Sequence, residues 1–148
     1  MSINSFDKRM FYQAYLEAKK SDFYRFHVGA VITYKGHIIG RGHNSNKTHP
    51  MQQEYNLRYR KFNNIKNGDC VKHSVHAEIS AISSISYLVG KEVDFSKAKI
   101  YVYRICKGKR LGFGNSRPCP ACAHALMDVG IKHCYYTDDM GLSYVELQ

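Results

Sequence analysis

Three side chains that commonly bind metal ions lie far apart in this sequence, and the fold must bring them together if they form one site. His76 begins the triplet His-Ala-Glu, and Cys119 and Cys122 lie in the later segment Pro-Cys-Pro-Ala-Cys. One imidazole and two thiolates supply three zinc ligands, whereas structural zinc sites usually have four protein ligands and catalytic sites leave one position for water. The pattern therefore predicts an open zinc site, with Glu78 beside it as a group that exchanges protons with that water.

The cysteine pair taken alone has other interpretations. Zinc fingers use a second cysteine pair at a set spacing, but the remaining cysteines, Cys70, Cys106 and Cys134, stand singly. A thioredoxin-like redox site would leave His76 and Glu78 without a role. The joint occurrence of the triplet and the pair favours a metal-dependent enzyme. A zinc-stabilised nucleic-acid-binding module without catalysis is the alternative.

Length, composition and charge limit the class of protein. The 148 residues fit a single domain spanning residues 1–148. No apolar run reaches the ~18 residues of a transmembrane helix, and Met1–Met10 is too polar for a signal peptide, so no membrane partner is expected. Five cysteines, an odd number that includes a Cys-x-x-Cys pair, favour a reducing, cytoplasmic compartment. The net charge of +10 favours anionic partners, although such charge also serves solubility alone.

Periodicity and turn residues predict alternating helices and strands. The predicted helices are Phe6–Lys20, Met51–Phe62, Val75–Val89 and Pro118–Val129, and the predicted strands are Val28–Tyr34, His37–Gly40, Lys99–Ile105, Ile131–Thr137 and Leu142–Leu147. Asn4 or Ser5 is expected to cap the first helix and Ser74 the third. Both parts of the metal site then lie at helix N-termini, which lower the pKa of thiols. The four-residue turn Asp138–Gly141 predicts a C-terminal β-hairpin, because it leaves no room for a helix.

The segment of residues 45–70 is an irregular insertion with two interpretations. Its predicted helix combines aromatic and basic side chains, namely Tyr55, Tyr59 and Phe62 with Arg58, Arg60 and Lys61. Such a mixture suits single-stranded nucleic acid, because bases stack on the rings while phosphates pair with the cations. In the structural alternative, the rings pack on the core of the domain. The basic loop of residues 106–117 likewise either contacts a substrate phosphate or is a solvated turn.

The order His-x-Glu followed by Pro-Cys-x-x-Cys resembles the signature of the zinc-dependent nucleobase deaminases. From about Val28 to Leu147 the chain is similar to the cytidine deaminase-like superfamily. The resemblance implies an α/β fold in which helices cover both faces of a five-stranded mixed sheet, a three-layer helix–sheet–helix sandwich. It also implies that His76, Cys119 and Cys122 hold Zn²⁺ and that Glu78 is the catalytic acid and base in the hydrolysis of cytosine to uracil.

The same resemblance suggests substrate contacts. Asn44 matches a family asparagine that contacts the substrate sugar, although by itself it is typical of a turn. Phe26 and His27 precede a strand whose start lines the base pocket in the family, and Ala77 lies between a metal ligand and the catalytic glutamate. The candidate substrate-binding residues are therefore Asn44, His27, Phe26, Ala77, Arg117, Lys109 and Arg110.

The subfamily, the substrate and the oligomeric state stay open at this stage. The insertion between Asn44 and His76 is absent from tRNA adenosine deaminases. The C-terminal hairpin is similar to free-cytidine and toxin-type deaminases, whereas the N-terminal half resembles the nucleotide and tRNA groups. The positive charge favours cytosine in single-stranded nucleic acid, with DNA first. A free cytidine or deoxycytidylate substrate is the alternative.

Overall fold

Helices and strands alternate along residues 3–60, 73–108 and 112–148, which are the parts of the chain that the computed structural model describes. The helices are α1 (Ser5–Ala18), α2 (Pro50–Tyr59), α3 (Ala77–Ser84), α4 (Tyr87–Gly90) and α5 (Pro120–Val129). The strands are β1 (His27–Tyr34), β2 (His37–His43), β3 (Lys99–Ile105), β4 (Phe113–Gly114), β5 (His133–Asp138) and β6 (Gly141–Glu146). None of the helices described here is both long and apolar enough to span a bilayer.

The strands form one mixed sheet in the order β2-β1-β3-β5-β6, and β4 pairs with β3 beside this path. β1 is antiparallel to β2 and β3, β3 is parallel to β5, and β5 is antiparallel to β6. The predicted five-stranded mixed sheet and the C-terminal hairpin are therefore confirmed. β4 adds a sixth strand that was not predicted, because two residues within a glycine-containing loop carry no alternating pattern.

Helices cover both faces of the sheet, which confirms the three-layer architecture. On one face α1 lies so close to β1 that a Cβ atom on Gly29 would be 2.1 Å from the carbonyl oxygen of Ala14. On the other face α3 lies so close to β2 that a Cβ atom on Gly42 would be 2.3 Å from the backbone nitrogen of Ala81. Helix α5 packs on that same face, beside α3 and α2. The two helices that carry the predicted metal ligands are thus neighbours.

The first helix begins as predicted and is attached to the sheet through its cap. The Asn4 side chain accepts a hydrogen bond from the backbone N–H of Asp7 (2.8 Å), and the Asp7 carboxylate accepts one from the backbone N–H of Asn4 (3.0 Å). The hydroxyl of Tyr101 on β3 also donates to Asp7, at 2.5 Å. This buried carboxylate therefore joins the helix start to the centre of the sheet.

The predicted helix Val75–Val89 is wrong in its extent and in its cap. Ser74 forms a β-bridge with Thr48, and the helix begins two residues later than predicted, at Ala77. It ends at Ser84 because Ile85 is extended (ψ 122°), and Ser86 then caps the separate helix α4. The apolar periodicity continues across this break, so the pattern could not indicate it. The last turn of the predicted helix is also exposed at an apolar position, since Leu88 is 72% exposed.

The described part of the insertion belongs to the helical layer. On α2, the hydroxyl of Tyr55 donates to a carboxylate oxygen of Asp128 on α5 at 2.6 Å. The ring of Tyr59 stacks on the ring of His124 with centroids 3.7 Å apart. The structure therefore favours the packing interpretation for both tyrosines. The predicted contributions of Lys61 and Phe62 lie outside the described residues.

Candidate metal centre and active site

The three predicted metal ligands lie at the N-terminal tips of α3 and α5. His76 is the N-cap of α3 and Cys119 the N-cap of α5, each with extended backbone (ψ 159° and 166°). Pro120 follows at the first helical position, where a missing N–H costs nothing. Cys122 lies within the first turn and is fully buried. Because both helices pack on the same face of the sheet, their tips bring the imidazole and the two thiols together.

The geometry of this cluster fits a tetrahedral zinc ion. The His76 Nδ1 atom lies 3.6 Å from the sulfur of Cys119 and 3.3 Å from the sulfur of Cys122. Bond lengths of ~2.0–2.1 Å to nitrogen and ~2.3 Å to sulfur at a tetrahedral angle predict a separation of about 3.6 Å. All three ligand atoms lie within 4.8 Å of one another, and they form the one such group found in the described part of the chain. The donor set is that of a zinc site with one position left for another ligand.

The two thiols differ in acidity because they interact with each other. The hydrogen bond with Cys122, assisted by His76, lowers the pKa of Cys119 to about 4. The same interaction with Cys119, together with burial, raises the pKa of Cys122. Burial lowers the pKa of His76, but its hydrogen bond with Cys119 and the charge of Glu78 outweigh burial and raise it. Since metal ligation requires thiolates, binding of a metal here releases a proton from the second thiol.

Glu78 lies in the first turn of α3, and its side chain reaches the same cavity as His76. The residue is only 5% exposed. Burial raises the pKa of its carboxyl to about 7; His76 opposes this shift and Cys119 adds to it. A carboxyl with a pKa near neutrality can both accept and return a proton at physiological pH.

A buried amide on α2 supports the backbone at the metal ligand His76. Gln52 is completely buried, and its side-chain oxygen accepts a hydrogen bond from the backbone N–H of His76 at 2.9 Å. Its amide nitrogen donates to the side-chain oxygen of Asn56 at 2.9 Å, and the Asn56 amide lies 3.1 Å from the Nδ1 atom of His73. Sequence reasoning missed this network. The available signal was two amide side chains four residues apart on one face of a helix.

The cavity beside the cluster has a volume of about 200 Å³. Residues from both helix tips, from the start of β1 and from the segment before α5 surround it. They are Phe26, Val28, Asn44, His76, Ala77, Glu78, Arg104, Asn115, Ser116, Arg117 and Cys119. The structure thus gathers most of the predicted substrate-binding residues that it describes around the metal cluster.

Three predicted contacts are not among these lining residues. His27 lines a neighbouring cavity instead, because successive residues of a strand point in opposite directions and Phe26 and Val28 take the positions at the site. The predicted contact of His27 with the substrate stays a prediction, and the cavity that His27 lines in this structure is the neighbouring one. Lys109 and Arg110 lie outside the described residues.

Asn44 is in the cavity wall, and its amide also organises that wall. The side chain is 3% exposed; its oxygen accepts from the backbone N–H of Val28 at 2.9 Å, and its nitrogen donates to the carbonyl oxygen of Phe26 at 2.9 Å. The end of β2 therefore holds the segment that leads into β1. The predicted sugar contact stays a prediction, and the positioning of Phe26 is an additional role.

Sequence reasoning also missed Arg104 and Ser116. Arg104 lies on β3, and its guanidinium carbon is 4.7 Å from the centroid of the Phe26 ring. A charged residue near the end of a strand that is apolar and aromatic between Lys99 and this position was the available signal. The hydroxyl of Ser116 donates to the carbonyl oxygen of Val102 at 2.8 Å and accepts from the backbone N–H of Thr137 at 2.8 Å. This buried hydroxyl fixes the segment that leads to Cys119.

Comparison with known proteins gives one family match and several structural matches. The family model described as the cytidine and deoxycytidylate deaminase zinc-binding region matches residues 4–138. No curated protein sequence matches the chain.

Three solved structures illustrate the likeness. Cytidine deaminase from Burkholderia pseudomallei has a TM-score of 0.60 at 15% identity, covering 95% of this chain and 91% of that one. The dCMP deaminase of cyanophage S-TIM5 in complex with dCMP and dUMP has a TM-score of 0.56 at 19% identity, covering 93% and 85%. Its apo form gives 0.52 at 20% identity, covering 88% and 81%. At these identities the likeness establishes the shared fold.

Proposed function

Because the chain belongs to the cytidine and deoxycytidylate deaminase family, we propose that it converts the cytosine base of a cytidine-type substrate to uracil by zinc-dependent hydrolysis. The observation that carries this proposal is the position of Glu78. Its buried carboxyl lines the same cavity as His76 and Cys119, two members of a group whose geometry fits zinc. A water molecule and the cytosine base can therefore both reach the Glu78 carboxylate next to the zinc site.

His76, Cys119 and Cys122 hold the zinc ion in this proposal. A zinc ion with three protein ligands and an open position lowers the pKa of a water molecule from about 15.7 toward 7, which supplies a nucleophile at neutral pH. The protein's own contribution is to lower the pKa of the Cys119 thiol, to hold the Cys122 thiol beside it and to keep the imidazole in position. The hydrogen bond from the His76 backbone to Gln52 serves the last of these purposes.

Glu78 moves the protons. Its carboxylate takes a proton from the attacking water and delivers it to the ring nitrogen of cytosine, and it then assists protonation of the departing amine. Oxygen adds at the carbon that carries the amine, the C–N bond breaks, and ammonia and uracil are the products. A pKa raised to about 7 by burial suits a group that must both accept and donate protons.

Four cavity residues contact the substrate in this proposal. Phe26 packs against the base, Ala77 contacts it from the tip of α3, and Asn44 contacts the sugar. Arg117 is exposed at the cavity, where it can contact the substrate. The observation that supports this arrangement is that all four residues line the cavity that contains Glu78.

The packing of the α2 tyrosines favours a cytidine nucleotide over a polynucleotide as the substrate. The cavity of about 200 Å³ does not decide between them, because one nucleotide enters the pocket in either case. Tyr55 and Tyr59, which had supported binding of single-stranded nucleic acid, are half-buried and contact Asp128 and His124 of α5. The structurally similar cyanophage enzyme was solved with dCMP and dUMP, in line with a nucleotide. Single-stranded nucleic acid is the second candidate, and the net charge of +10 supports it.

The test is a product assay with zinc-loaded protein. Deoxycytidine, dCMP, CMP and a single-stranded oligonucleotide with one cytosine are incubated separately, and uracil and ammonia are measured. We expect uracil from at least one of them, and we expect Glu78→Gln to abolish turnover while about one zinc ion per chain is retained. Full turnover by Glu78→Gln would refute the role of Glu78. An absence of product from all four substrates would refute the proposed activity.

A further inference from the structure

We propose that a second, basic cavity next to the active site binds the phosphate attached to the sugar of the target cytidine. It has a volume of about 310 Å³, and Arg25, His27, Arg104 and Lys107 are among its lining residues. The inference rests on the proposed deaminase function and specifies its substrate class. The enzyme acts on a phosphorylated cytidine and discriminates against the nucleoside.

The two cavities are adjacent because they share a wall. Phe26 and Arg104 line both of them. The Arg104 guanidinium carbon lies over the Phe26 ring, 4.7 Å from its centroid, and both residues border the predicted base site as well as the basic cavity. A substrate whose base packs on Phe26 therefore has its sugar substituents near Arg104.

The charges around the second cavity are of one sign. Arg25, Arg104 and Lys107 carry permanent positive charge at neutral pH, and no Asp or Glu is among the lining residues. Within the described parts of the chain, none of the three cations forms an ion pair with a carboxylate. Three cations that converge on one cavity without a protein counter-ion repel one another, and a bound phosphate would relieve that repulsion.

Arg104 is the central residue of this arrangement. Its Nε atom is buried and is the one side-chain nitrogen or oxygen in the described residues that is buried without a hydrogen-bond partner. The Nε–H is out of reach of a ligand in the cavity, but the guanidinium is half-buried and lines the cavity, so its terminal N–H groups can donate to a ligand that accepts hydrogen bonds. A guanidinium also presents its N–H groups in a planar fork that matches two phosphate oxygens.

Phosphate is the chemistry that fits this cavity. The ribose of a nucleoside offers only neutral hydroxyls, which gain little from three cations. The phosphomonoester of a free nucleotide and the phosphodiester of a single-stranded nucleic acid both carry anionic oxygens that accept charge-assisted hydrogen bonds. The shared feature is the phosphate on the target sugar, and the experiment below separates the two sources.

The experiment compares substrates and variants. Zinc-loaded protein is assayed with deoxycytidine, dCMP and an oligonucleotide containing one cytosine, and kcat/KM is determined for each. We expect a preference for dCMP over deoxycytidine of at least about 100-fold, from two or more hydrogen bonds to a charged group. We expect Arg104→Gln and Lys107→Gln each to lower this preference by about tenfold. The oligonucleotide arm decides whether a diester is also accepted.

Matched controls separate the subsite from general charge and from folding. Lys91→Gln removes an equivalent positive charge at the end of α4, outside both cavities, and should leave the preference unchanged. Thermal unfolding of each variant reports its stability. Lys107 is exposed, so its substitution remains informative if Arg104→Gln fails to fold.

Binding provides a readout that does not depend on turnover. In the Glu78→Gln background, calorimetry with zinc-loaded protein should show dCMP binding more tightly than deoxycytidine, and inorganic phosphate should compete with dCMP. Equal affinity for dCMP and deoxycytidine, or a phosphate preference that Arg104→Gln and Lys107→Gln leave intact, would overturn the subsite. If no substrate yields uracil, the deaminase proposal fails, and the binding comparison still decides the phosphate site.

Discussion

Gln52→Leu tests whether the inserted helix α2 supports the metal centre. The substitution keeps a buried side chain of similar size but removes two hydrogen bonds, one to the backbone N–H of His76 and one to the side chain of Asn56, each 2.9 Å long in the structure. A buried polar group that loses its partner costs about 1–3 kcal/mol. The His76 contact is only partly buried and the Asn56 contact is fully buried, so we expect a total loss of about 2–4 kcal/mol in the free energy of unfolding.

Two measurements check this expectation. In a domain of this length each 1 kcal/mol shifts the melting temperature by about 2–4 °C, so Gln52→Leu should melt about 4–16 °C lower. Because the backbone of a metal ligand loses its support, zinc affinity measured by chelator competition should fall by about 10–100-fold.

The neighbouring residue supplies the control for this prediction. Gln53 is exposed on the same helix, and Gln53→Leu should leave the melting temperature and the zinc affinity near the wild-type values. The reasoning is refuted if Gln52→Leu and Gln53→Leu behave alike. It is also refuted if Gln52→Leu loses stability but binds zinc as tightly as the wild type, because the contact would then support the fold and not the metal ligand.

Three further predictions concern the site and the packing of the sheet. Cys122→Ser should reduce bound zinc from about one ion per chain to nearly none by atomic absorption, because it removes one of only three protein ligands. Burial raises the pKa of Glu78 from 4.5 to about 7, so the folded state favours its neutral form and, with zinc removed, stability should fall as pH rises through this range. Chemical denaturation at pH 5 and pH 8 should show that the free energy of unfolding of Glu78→Gln lacks this fall of about 3 kcal/mol. Identical pH profiles for the variant and the wild type would contradict this prediction. Gly29→Ala should lower the free energy of unfolding by about 1–3 kcal/mol or more, because the new Cβ atom would lie 2.1 Å from a backbone oxygen. Gly90→Ala is the control: its Cβ atom would have no neighbour closer than 3.8 Å, so this variant should melt near the wild-type temperature.

The metal ligands could be predicted because their chemistry restricts residue type. Few side chains bind zinc, and His76, Cys119 and Cys122 combine a histidine and a cysteine pair in a recognisable order. The C-terminal hairpin was predictable for a geometric reason, since the turn between Asp138 and Gly141 is too short for any other connection of two strands. In both cases local sequence limits the possible structures strongly.

Other features depend on tertiary contacts that local patterns do not contain. The break at Ile85 lies inside an uninterrupted apolar pattern, so periodicity predicted one long helix where the structure has two. Gln52 and Arg104 are polar residues whose importance depends on which backbone and which ring they meet, His76 and Phe26 respectively. In such cases the sequence gives the type of residue but does not show which group that residue contacts in the folded protein.

The hydrogen bonds of Asn44 have a consequence for selectivity. Its side chain accepts one from the backbone N–H of Val28 and donates one to the carbonyl oxygen of Phe26, and its backbone N–H donates to the carbonyl oxygen of Val28 (3.0 Å). They tie Phe26 and Val28, on both sides of His27, to the residue that follows β2, so hydrogen bonds hold the cavity wall that we propose to meet the base before any ligand arrives. A preorganised wall loses little conformational entropy on binding, and it cannot widen for a larger ring. On this basis a purine base, which has two fused rings, should be too large for the cavity, even when it carries an exocyclic amine that could react at the metal centre.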